Sequence, residues 1–289
     1  MAGTGTERDA KGVEAGAGVG TPLAPPVDVT VRHCETLSDY EACVRLQSAT
    51  WGPGYRDVVT ASLLKVSQRV GGVVAGAFLE SGELAGFVFG LTGVNGGGRV
   101  IHWSHMLAVD PAYRDLGVGR RLKAFQWEAL RSLGASTAYW TFDPLVARNA
   151  HLNLNRLGVT LEEYVVDMYA DTGSGLHAFG TDRFVVSWPI EGAAARVGRS
   201  PVGKPGPVVN VDVRGRPLRT PREEGSECVG IEIPSDIEPM VETDLAALRE
   251  WRVSTRSAFR AYLGRGYELT GFERGAEVGR YVLEARGRG

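Results

Sequence analysis

The segment best suited to do chemistry is a glycine-containing loop between a predicted strand and a predicted helix, Arg114-Asp115-Leu116-Gly117-Val118-Gly119-Arg120-Arg121. Two glycines at this spacing let successive backbone N–H groups turn toward one point, where they join the positive end of the helix dipole. Such a cradle suits a pyrophosphate. The same residues also fit an ordinary strand-to-helix turn, and a bare Gly-x-Gly does not separate the two interpretations.

The residues around this loop favour anion binding. The preceding strand ends in Leu107-Ala108-Val109-Asp110-Pro111, and the loop begins with a basic residue, Arg114. Arg120 and Arg121 stand in the first turn of the helix, where a cation opposes the dipole unless an anion offsets it. No third glycine follows at the Gly-x-Gly-x-x-Gly spacing and no Gly-Lys-Ser/Thr is present, so the dinucleotide-binding and P-loop fingerprints are excluded.

The loop resembles the signature of the GNAT acyltransferase superfamily, Arg/Gln-x-x-Gly-x-Gly/Ala after a strand that ends in a Val-x-Pro-like turn. The resemblance covers about residues 27–190. It implies a mixed, splayed β-sheet flanked by helices, with acetyl-CoA or another acyl-CoA as co-substrate. It also implies that the loop binds the pyrophosphate and that the backbone of the preceding strand holds the pantetheine arm. The implied CoA-binding residues are Leu107, Ala108, Val109, Arg114, Asp115, Leu116, Gly117, Val118, Gly119 and Arg120.

His105 is the candidate general base. The run His105-Met106-Leu107-Ala108-Val109 resembles the His-x-Leu-Ala-Val of arylalkylamine N-acetyltransferases, where that histidine assists deprotonation of the amine. An imidazole with a pKa near ~6.5 can accept the amine's proton, directly or through water, before attack on the thioester. The alternative is that His105 only satisfies a neighbouring backbone group. His102 lies one position out of register with the second histidine of that pattern, and a structural role is favoured for it.

A second segment, residues 140–158, resembles an uncharacterised branch of predicted acetyltransferases in the same superfamily. Its helix carries Asn149, at a place where many GNAT enzymes hold pantetheine with an asparagine. Those enzymes also place a tyrosine four residues before the closing glycine of this helix, as general acid for the departing thiolate. Here that residue is Leu154. The general acid therefore stays open among Tyr164, Tyr169, water and no acid at all.

Other residues near the predicted site have two interpretations each. Asp143 follows a buried strand at its carboxyl end, where it could orient an amine, but as Asp-Pro it is favoured as a turn former. Asn153, Asn155 and Arg156 fit helix capping at least as well as substrate contact. The aromatic loop Trp51–Tyr55 is a candidate wall of the acceptor site, or an ordinary turn.

Composition excludes several classes of protein. The chain has 289 residues, a net charge of -2 and 43% hydrophobic residues, which fits a globular protein without a global field for nucleic acid or an anionic membrane. Three widely spaced cysteines argue against a disulfide framework or a zinc cluster, and we expect no metal. No run of about 18 apolar residues is present, and the first residues lack the apolar core of a signal peptide. We expect a cytoplasmic protein.

The elements around the motif predict an α/β (α+β) domain over residues 27–190. Their order is strand, two helices, hairpin, a fourth strand at Val100–Val109, crossover helix, strand, helix and two strands, which describes a mixed sheet flanked by helices. Ser38 is the expected N-cap of the first helix. The last two strands are predicted at Tyr164–Tyr169 and Arg183–Trp188.

The remaining segments differ in composition from that domain. Residues 1–26, rich in Gly, Ala and Pro, predict a disordered tail, and residues 191–225 a basic, Pro- and Gly-rich linker. Residues 226–289 predict a smaller C-terminal β-α-β-β subdomain. Its order matches half of a GNAT domain, as any α/β layer could, and it is expected to pack on the first domain or to form a homodimer.

The predicted function is acyl-CoA-dependent N-acyl transfer directly to an amine. None of the three cysteines lies in the motif region, so an acyl-cysteine intermediate is disfavoured. The acceptor is the amine of a small molecule or of a peptide, and the sequence does not choose between them. The alternative is a CoA-binding or regulatory module without turnover, suggested by the missing tyrosine. A nucleic-acid partner for the basic residues 196–222 is disfavoured, because no aromatic residues are interleaved there.

Overall fold

The computed structural model describes residues 28–170, 178–191 and 206–286, which form two β-sheets. The strands are β1 (Thr30–His33), β2 (Val73–Phe78), β3 (Leu84–Val94), β4 (Val100–Val109), β5 (Thr137–Phe142), β6 (Thr160–Val165), β7 (Arg183–Pro189), β8 (Cys228–Pro234), β9 (Tyr267–Arg274) and β10 (Val278–Ala285). The helices are α1 (Leu37–Trp51), α2 (Ala61–Arg69), α3 (Val118–Ser132), α4 (Ala147–Ala150, continued by a π-helical segment, His151–Leu157), α5 (Glu238–Thr243) and α6 (Leu245–Gly264). The predicted tail lies outside the described residues.

The larger sheet has seven strands in the order β1-β2-β3-β4-β5-β7-β6. Strands β1 to β4 are antiparallel neighbours, β4 and β5 are parallel, and β5, β7 and β6 are again antiparallel. The parallel pair is joined by the crossover helix α3, as a parallel connection requires. This mixed sheet flanked by helices confirms the GNAT-like α/β (α+β) fold class predicted from the sequence.

Helices cover both faces of the central strands. On one face, Tyr40 of α1 packs in a cluster with Phe87 of β3, and on the other, Leu122 of α3 packs in a cluster with Val88. Because both faces are covered, β2 is buried along its whole length and its sequence does not alternate between apolar and polar residues. Within the described residues, no helix combines the length and the apolar character needed to cross a bilayer.

The N-cap of α1 is Thr36 and not the expected Ser38. The Thr36 hydroxyl accepts a hydrogen bond from the Asp39 N–H at 3.2 Å, and the Asp39 carboxylate accepts one from the Thr36 N–H at 3.2 Å. This reciprocal capping box needs an acceptor three residues after the cap, which Asp39 supplies for Thr36. Arg32 of β1 donates to the same carboxylate at 2.8 Å, so the cap also ties α1 to the sheet.

Strand β6 lies earlier in the sequence than the predicted 164–169. Asp167 adopts a left-handed conformation with φ 46°, which ends the extended run, and its N–H donates to the Asp182 carboxylate at 3.1 Å. Tyr169 lies beyond this turn, and its N–H donates to the Thr181 hydroxyl at 3.3 Å. The sequence did not predict this turn. The hydrogen bonds that hold it are made to Thr181 and Asp182, which lie in the segment before β7.

The C-terminal residues fold in the predicted order, with an antiparallel sheet β8-β10-β9 next to α6. The ring of Phe184 on β7 lies 4.8 Å from that of Phe259 on α6 and 5.6 Å from that of Tyr281 on β10. The Tyr281 hydroxyl also donates to the Pro144 carbonyl at 2.7 Å. One hydrophobic cluster therefore runs through both parts of the chain. The homodimer and the half-domain repeat stay predictions.

The described part of the predicted linker, residues 206–225, packs on the C-terminal subdomain. Asn210 is fully buried, and its side-chain amide donates to the Glu232 carbonyl at 2.8 Å and accepts from the Glu232 N–H at 2.7 Å. The Tyr262 hydroxyl donates to the Arg222 carbonyl at 2.7 Å. This part of the predicted linker is therefore packed against β8 and α6. Residues 192–205 lie outside the described part.

A buried ion pair joins the two parts of the chain at Asp143, directly after β5. Its carboxylate accepts from Arg252 of α6 at 2.6 Å and from Arg183 of β7 at 3.2 Å, and it also accepts from the Leu145 N–H at 2.8 Å. The Arg252 side chain is only 3% exposed. The bond to Leu145 agrees with the favoured role as a turn former, and the two arginines occupy the oxygen that an amine would need.

We expect Asp143→Ala to lower the free energy of unfolding by about 3–5 kcal/mol, because it leaves a buried arginine without its counter-charge. Urea denaturation at pH 7 measures the change. Glu128→Ala is the matched control, since it removes an exposed carboxylate 3.8 Å from Arg131, and it should change stability by less than about 1 kcal/mol. A loss below about 1 kcal/mol for Asp143→Ala would show that this pair does not hold the two parts together.

Candidate active site

Strands β4 and β5 separate soon after they begin. They pair at only three positions, Ile101–Thr137, His102–Ala138 and Trp103–Tyr139. In the described part of the chain β4 then continues to Val109 and β5 to Phe142 with no further pairing between them. We call the gap between the diverging strands the fork. Along it, the edge of β4 presents backbone N–H and C=O groups that can bond an extended ligand.

A β-bulge on β4 lies at the start of the fork. Met106 pairs with Phe89 of β3 and Ser104 pairs with Gly90, so His105 is an extra residue without a partner on β3. Ser104 contacts α3, whereas Met106 packs in the cluster that contains α1. Bulges redirect side chains and are common next to active sites. The bulge therefore turns His105 away from α3, toward the face that α1 covers.

His105 has an exposed side chain with the properties of a base. Its ring packs edge-on against Phe89, with ring centroids 5.9 Å apart. The surrounding protein desolvates the imidazole and lowers the pKa of His105, while the negative charge of Asp57 acts in the opposite direction. A lowered pKa keeps the ring neutral at pH 7, so it can accept a proton. Asp57 was missed from the sequence, because it lies in the loop between α1 and α2.

His102 has no exposed surface and is a core residue. Its Nε2 lies 3.0 Å from the Gln126 amide nitrogen, and its Nδ1 lies 2.9 Å from the Thr92 hydroxyl. Because an amide NH2 group can only donate, Nε2 accepts and Nδ1 carries the proton. Burial and the positive charge of Lys123 lower the pKa of His102 to about 3. Both ring nitrogens are engaged, which agrees with the structural role favoured for this histidine.

The loop before α3 has the shape of an anion cradle. Asp115 and Gly117 adopt left-handed conformations with φ 60° and 83°. Gly117 is the N-cap residue of α3, and no side chain caps the helix there. The first N–H groups of α3 are therefore available to an anion at the positive end of the helix dipole. A Cβ at Gly117 would meet open space, so glycine is needed there for its backbone conformation and not for packing.

Gly119 brings this loop to the mouth of the fork. A Cβ at Gly119 would lie 3.8 Å from side-chain carbons of Leu107 and Val109 on β4, and 4.0 Å from Leu152 in the helix after β5. The predicted phosphate loop and the predicted pantetheine strand are thus neighbours, with the helix after β5 on the other side. The structure brings these residues together, and their binding of CoA stays a prediction.

Arg114, a predicted CoA ligand, is held by the C-terminal subdomain. Its guanidinium donates to the Glu238 carboxylate at 2.9 Å and to the Val109 carbonyl at 3.3 Å. Arg148 donates to the same carboxylate oxygen at 2.6 Å, and this bond together with both positive charges lowers the pKa of Glu238. Arg114 therefore fixes the loop to the end of β4. Arg120 is exposed, and no carboxylate within the described residues lies at ion-pair distance from it.

The helix after β5 carries Asn149 and uses its other asparagines for structure. Asn153 accepts from the Trp140 indole N–H at 2.8 Å and donates to the Asn149 carbonyl at 2.8 Å. Asn155 donates to the Phe272 carbonyl of β9 at 2.7 Å. These bonds favour the structural interpretation of Asn153 and Asn155. Asn149 itself is half-buried, and its side chain stays a candidate for contact with the pantetheine arm.

The candidate general acids differ in their surroundings. Leu154 is buried in the core. The Tyr164 hydroxyl donates to the Asp182 carboxylate, and burial raises the pKa of Tyr164, so this phenol is already engaged. The Tyr169 hydroxyl lies 3.0 Å from the Thr141 hydroxyl on β5. Of the two tyrosines, Tyr169 is the one next to a wall of the fork.

The loop between α1 and α2 lies within electrostatic range of both walls of the fork. Trp51 and Tyr55 stack with ring centroids 5.3 Å apart. Burial raises the pKa of Tyr55 to about 12, and the charges of Asp57 and Tyr169 act in the same direction. Asp57 also acts on His105, so this loop lies near the bulge of β4 and near Tyr169 beside β5. The placement fits the predicted acceptor wall.

Sequence reasoning also missed a buried lysine at the base of the fork. Lys123 of α3 is 2% exposed, and its ammonium donates to the Ser104 hydroxyl at 2.8 Å and to the Gln126 side-chain carbonyl at 3.2 Å. The ammonium nitrogen lies 3.8 Å from the centroid of the Trp140 ring. Desolvation lowers the pKa of Lys123 to about 7. The available signal was a lysine at helical spacing from Trp127 and Leu130 on the apolar side of α3.

The two buried cysteines lie away from the fork. Within the described residues, no group of three or more His, Cys, Asp or Glu side chains is placed to hold a metal ion. Cys34 and Cys43 are buried free thiols with sulfur atoms 3.7 Å apart. They lie where β1 meets α1, three strands from β4 in the sheet order, so neither fits an acyl-cysteine intermediate.

Several solved structures resemble this chain at low sequence identity. The ribosomal-protein-S18-alanine N-acetyltransferase of Escherichia coli is 19% identical, with a TM-score of 0.44, and covers 60% of this chain and 100% of its own. Arabidopsis thaliana NAA60, in complex with a bisubstrate analogue, is 15% identical with a TM-score of 0.47, covering 57% and 100%. The putative acetyltransferase yncA of Salmonella typhimurium, with acetyl-CoA, is 19% identical with a TM-score of 0.43, covering 58% and 96%. No curated protein sequence matches the chain.

One family model matches the sequence, that of the Acetyltransferase (GNAT) family, over residues 40–158. The matched segment runs from α1 to the end of the helix after β5. It therefore contains both walls of the fork, the bulge at His105 and the loop at Gly117. The strand order, with one parallel pair that diverges at the fork, is that of the fold predicted from the sequence motif. The chain thus contains an acetyltransferase domain of the GNAT family, located by the family model at residues 40–158.

Proposed function

We propose that the protein is an acyl-CoA-dependent N-acyltransferase, with acetyl-CoA as its co-substrate, that transfers the acyl group directly to an amine. The observation that carries this proposal is the fork itself. The free edge of β4 and the uncapped N-terminus of α3 face one gap, and Gly119 joins them. A ligand with an extended, amide-containing arm and a pyrophosphate matches that pair of surfaces.

In this proposal the backbone of residues 107–109 bonds the amides of the pantetheine arm, in place of the strand that has diverged. The N–H groups at Gly117, Val118 and Gly119 bond the pyrophosphate. Arg120, exposed and without an acidic partner among the described residues, adds positive charge. Asn149 contacts the arm from the opposite wall. Arg114 acts indirectly, by holding the loop to β4.

The reaction needs three proton transfers. An ammonium acceptor first loses a proton to His105, directly or through water, and the neutral nitrogen then attacks the thioester carbonyl. The C–N bond forms and the C–S bond breaks, the nitrogen gives its second proton to water, and the CoA thiolate takes a proton from Tyr169 or from water. Asp57 supports an amine as acceptor, because its negative charge beside His105 attracts an ammonium group. Amines of small molecules and of peptides both satisfy these requirements.

The second candidate function is a CoA-binding module without turnover, which the buried Leu154 at the usual tyrosine position favours. The two functions separate in two measurements. Under both, acetyl-CoA at 100 times its Kd should stabilise the fold by about 2.7 kcal/mol in thermal unfolding. Only an enzyme releases CoA thiol with a panel of primary amines and peptides. Absence of acetyl-CoA binding would contradict both candidates.

We expect Gly117→Glu to weaken acetyl-CoA binding by about tenfold or more, because it puts a carboxylate where the pyrophosphate would lie. Gly134→Glu is the matched control at the other end of α3. Both glycines have left-handed φ values, 83° and 71°, and open space at Cβ, so both variants should lose similar stability. Calorimetric titration measures the affinities. Equal affinity in the two variants would place the phosphates elsewhere.

We expect His105→Ala to lower kcat/KM by about 10²-fold at pH 7, the usual effect of removing a general base. In the wild type, kcat/KM should fall on the acid side with a pKa below 6.5, because desolvation lowers the pKa of His105. Asp57→Asn should move this acid limb to lower pH, since Asp57 raises that pKa. His33→Ala, on β1, serves as the control. Unchanged rates in His105→Ala would rule out the base.

A further inference from the structure

We propose that Lys123 is a positioning residue for acyl transfer, whose ammonium ties the two walls of the fork to each other at the point where β4 and β5 separate. The last pair of these strands is Trp103–Tyr139. The next residue on each strand, Ser104 and Trp140, is the one that Lys123 contacts, at 2.8 Å and 3.8 Å. The inference rests on the proposed function, because the fork is the proposed acyl-CoA site.

On the β4 side, the contact reaches the candidate base. Ser104 directly precedes the bulge residue His105, and its hydroxyl donates to the Gln126 side-chain carbonyl at 2.9 Å while accepting from Lys123. Gln126 in turn donates to His102 at 3.0 Å. Ser104 and His102 are thus both bonded to α3. These bonds fix the backbone on one side of the bulge, and with it the direction of the His105 ring.

On the β5 side, the contact reaches the candidate pantetheine ligand. The Trp140 ring accepts the ammonium on its face, and its indole N–H donates to Asn153 at 2.8 Å. Asn153 then donates to the Asn149 carbonyl at 2.8 Å. Lys123 therefore contacts, on each strand, the first residue beyond the last pair between β4 and β5. From these contacts, Ser104 leads along the backbone to its neighbour His105 on one wall, and hydrogen bonds through Asn153 lead to Asn149 on the other.

The charge of Lys123 is costly, which argues for a role beyond packing. No carboxylate within the described residues lies at ion-pair distance, and burial lowers the pKa of Lys123 to about 7. His102 is the titratable group that faces it, and Ser104, Gln126 and Trp140 are uncharged. An apolar side chain of similar length would avoid the desolvation cost. It would not bond Ser104 or hold the Trp140 ring by a cation–π contact.

The test is Lys123→Met, which keeps the length of the side chain and removes the charge. We expect kcat to fall by about tenfold or more, because small displacements at a reacting centre cost large factors in rate. The Kd of acetyl-CoA should change less than about threefold, since the phosphate cradle at Gly117 lies more than one and a half helical turns away. Lys65→Met is the matched control, an exposed lysine on α2 whose loss should change neither quantity.

Stability separates positioning from simple misfolding. Between the folded pKa of about 7 and the unfolded value of about 10.4, the unfolded chain binds more protons at Lys123, so the wild type gains stability from this group as pH rises. Lys123→Met should therefore unfold at higher urea concentration than the wild type at pH 6.5, with a difference that shrinks toward pH 10. A variant that is as stable as the wild type and less active supports positioning.

A second variant keeps the charge and removes one contact. Ser104→Ala should lower kcat less than Lys123→Met does, and it should keep the pH-dependent stability of the wild type. A Lys123→Met protein with wild-type kcat overturns this inference and leaves the proposed function intact. A rate loss accompanied by lower stability at every pH also overturns it, because the lysine would then be a structural residue. A wild-type protein that does not bind acetyl-CoA overturns both.

Discussion

The site depends on the separation of β4 and β5, and this separation is imposed from outside the fork. β4 stays paired with β3 as far as Val109, while β5 stays paired with β7 as far as Phe142. Each strand therefore follows a different neighbour, and the backbone groups along the fork lose their partners for that reason. Because two antiparallel pairs hold the walls, the fork is present without a ligand. A ligand that supplies amide groups recovers hydrogen bonds that the sheet has given up.

The C-terminal subdomain supports both walls of this fork. At the end of β5, Arg252 bonds Asp143, and Tyr281 bonds the next residue, Pro144. At the end of β4, Glu238 bonds Arg114, which in turn donates to Val109. These contacts add support to the outer ends of the diverging strands, which no longer pair with each other there. Within the described residues, these contacts make the C-terminal subdomain a brace for both walls.

The sequence predicted the parts of the structure that local patterns determine. The strand Val100–Val109 and the glycine turn at Gly117 were predicted from the sequence, and the Thr36 capping box could have been found from Asp39 three residues later. The contacts that tune the site could not be predicted in this way. Asp57 reaches His105 and Glu238 reaches Arg114 only after folding, because each pair is far apart in the chain. Local periodicity carries no information about such pairs.

A polar cluster of four side chains lies at the base of the fork: Lys123, Ser104, Gln126 and His102. Besides Lys123, a second residue beside this cluster carries a cost in stability. A Cβ at Gly90 on β3 would lie 2.2 Å from the His102 Nε2, the atom that accepts from Gln126. Glycine at this position weakens the strand, yet any larger residue would displace the ring and break the chain of bonds to Lys123. Two residues that each lower stability, Gly90 in β3 and Lys123 in α3, thus lie at one cluster. Since each alone lowers stability, their coincidence at the point of strand separation argues that the cluster is kept for the geometry of the fork.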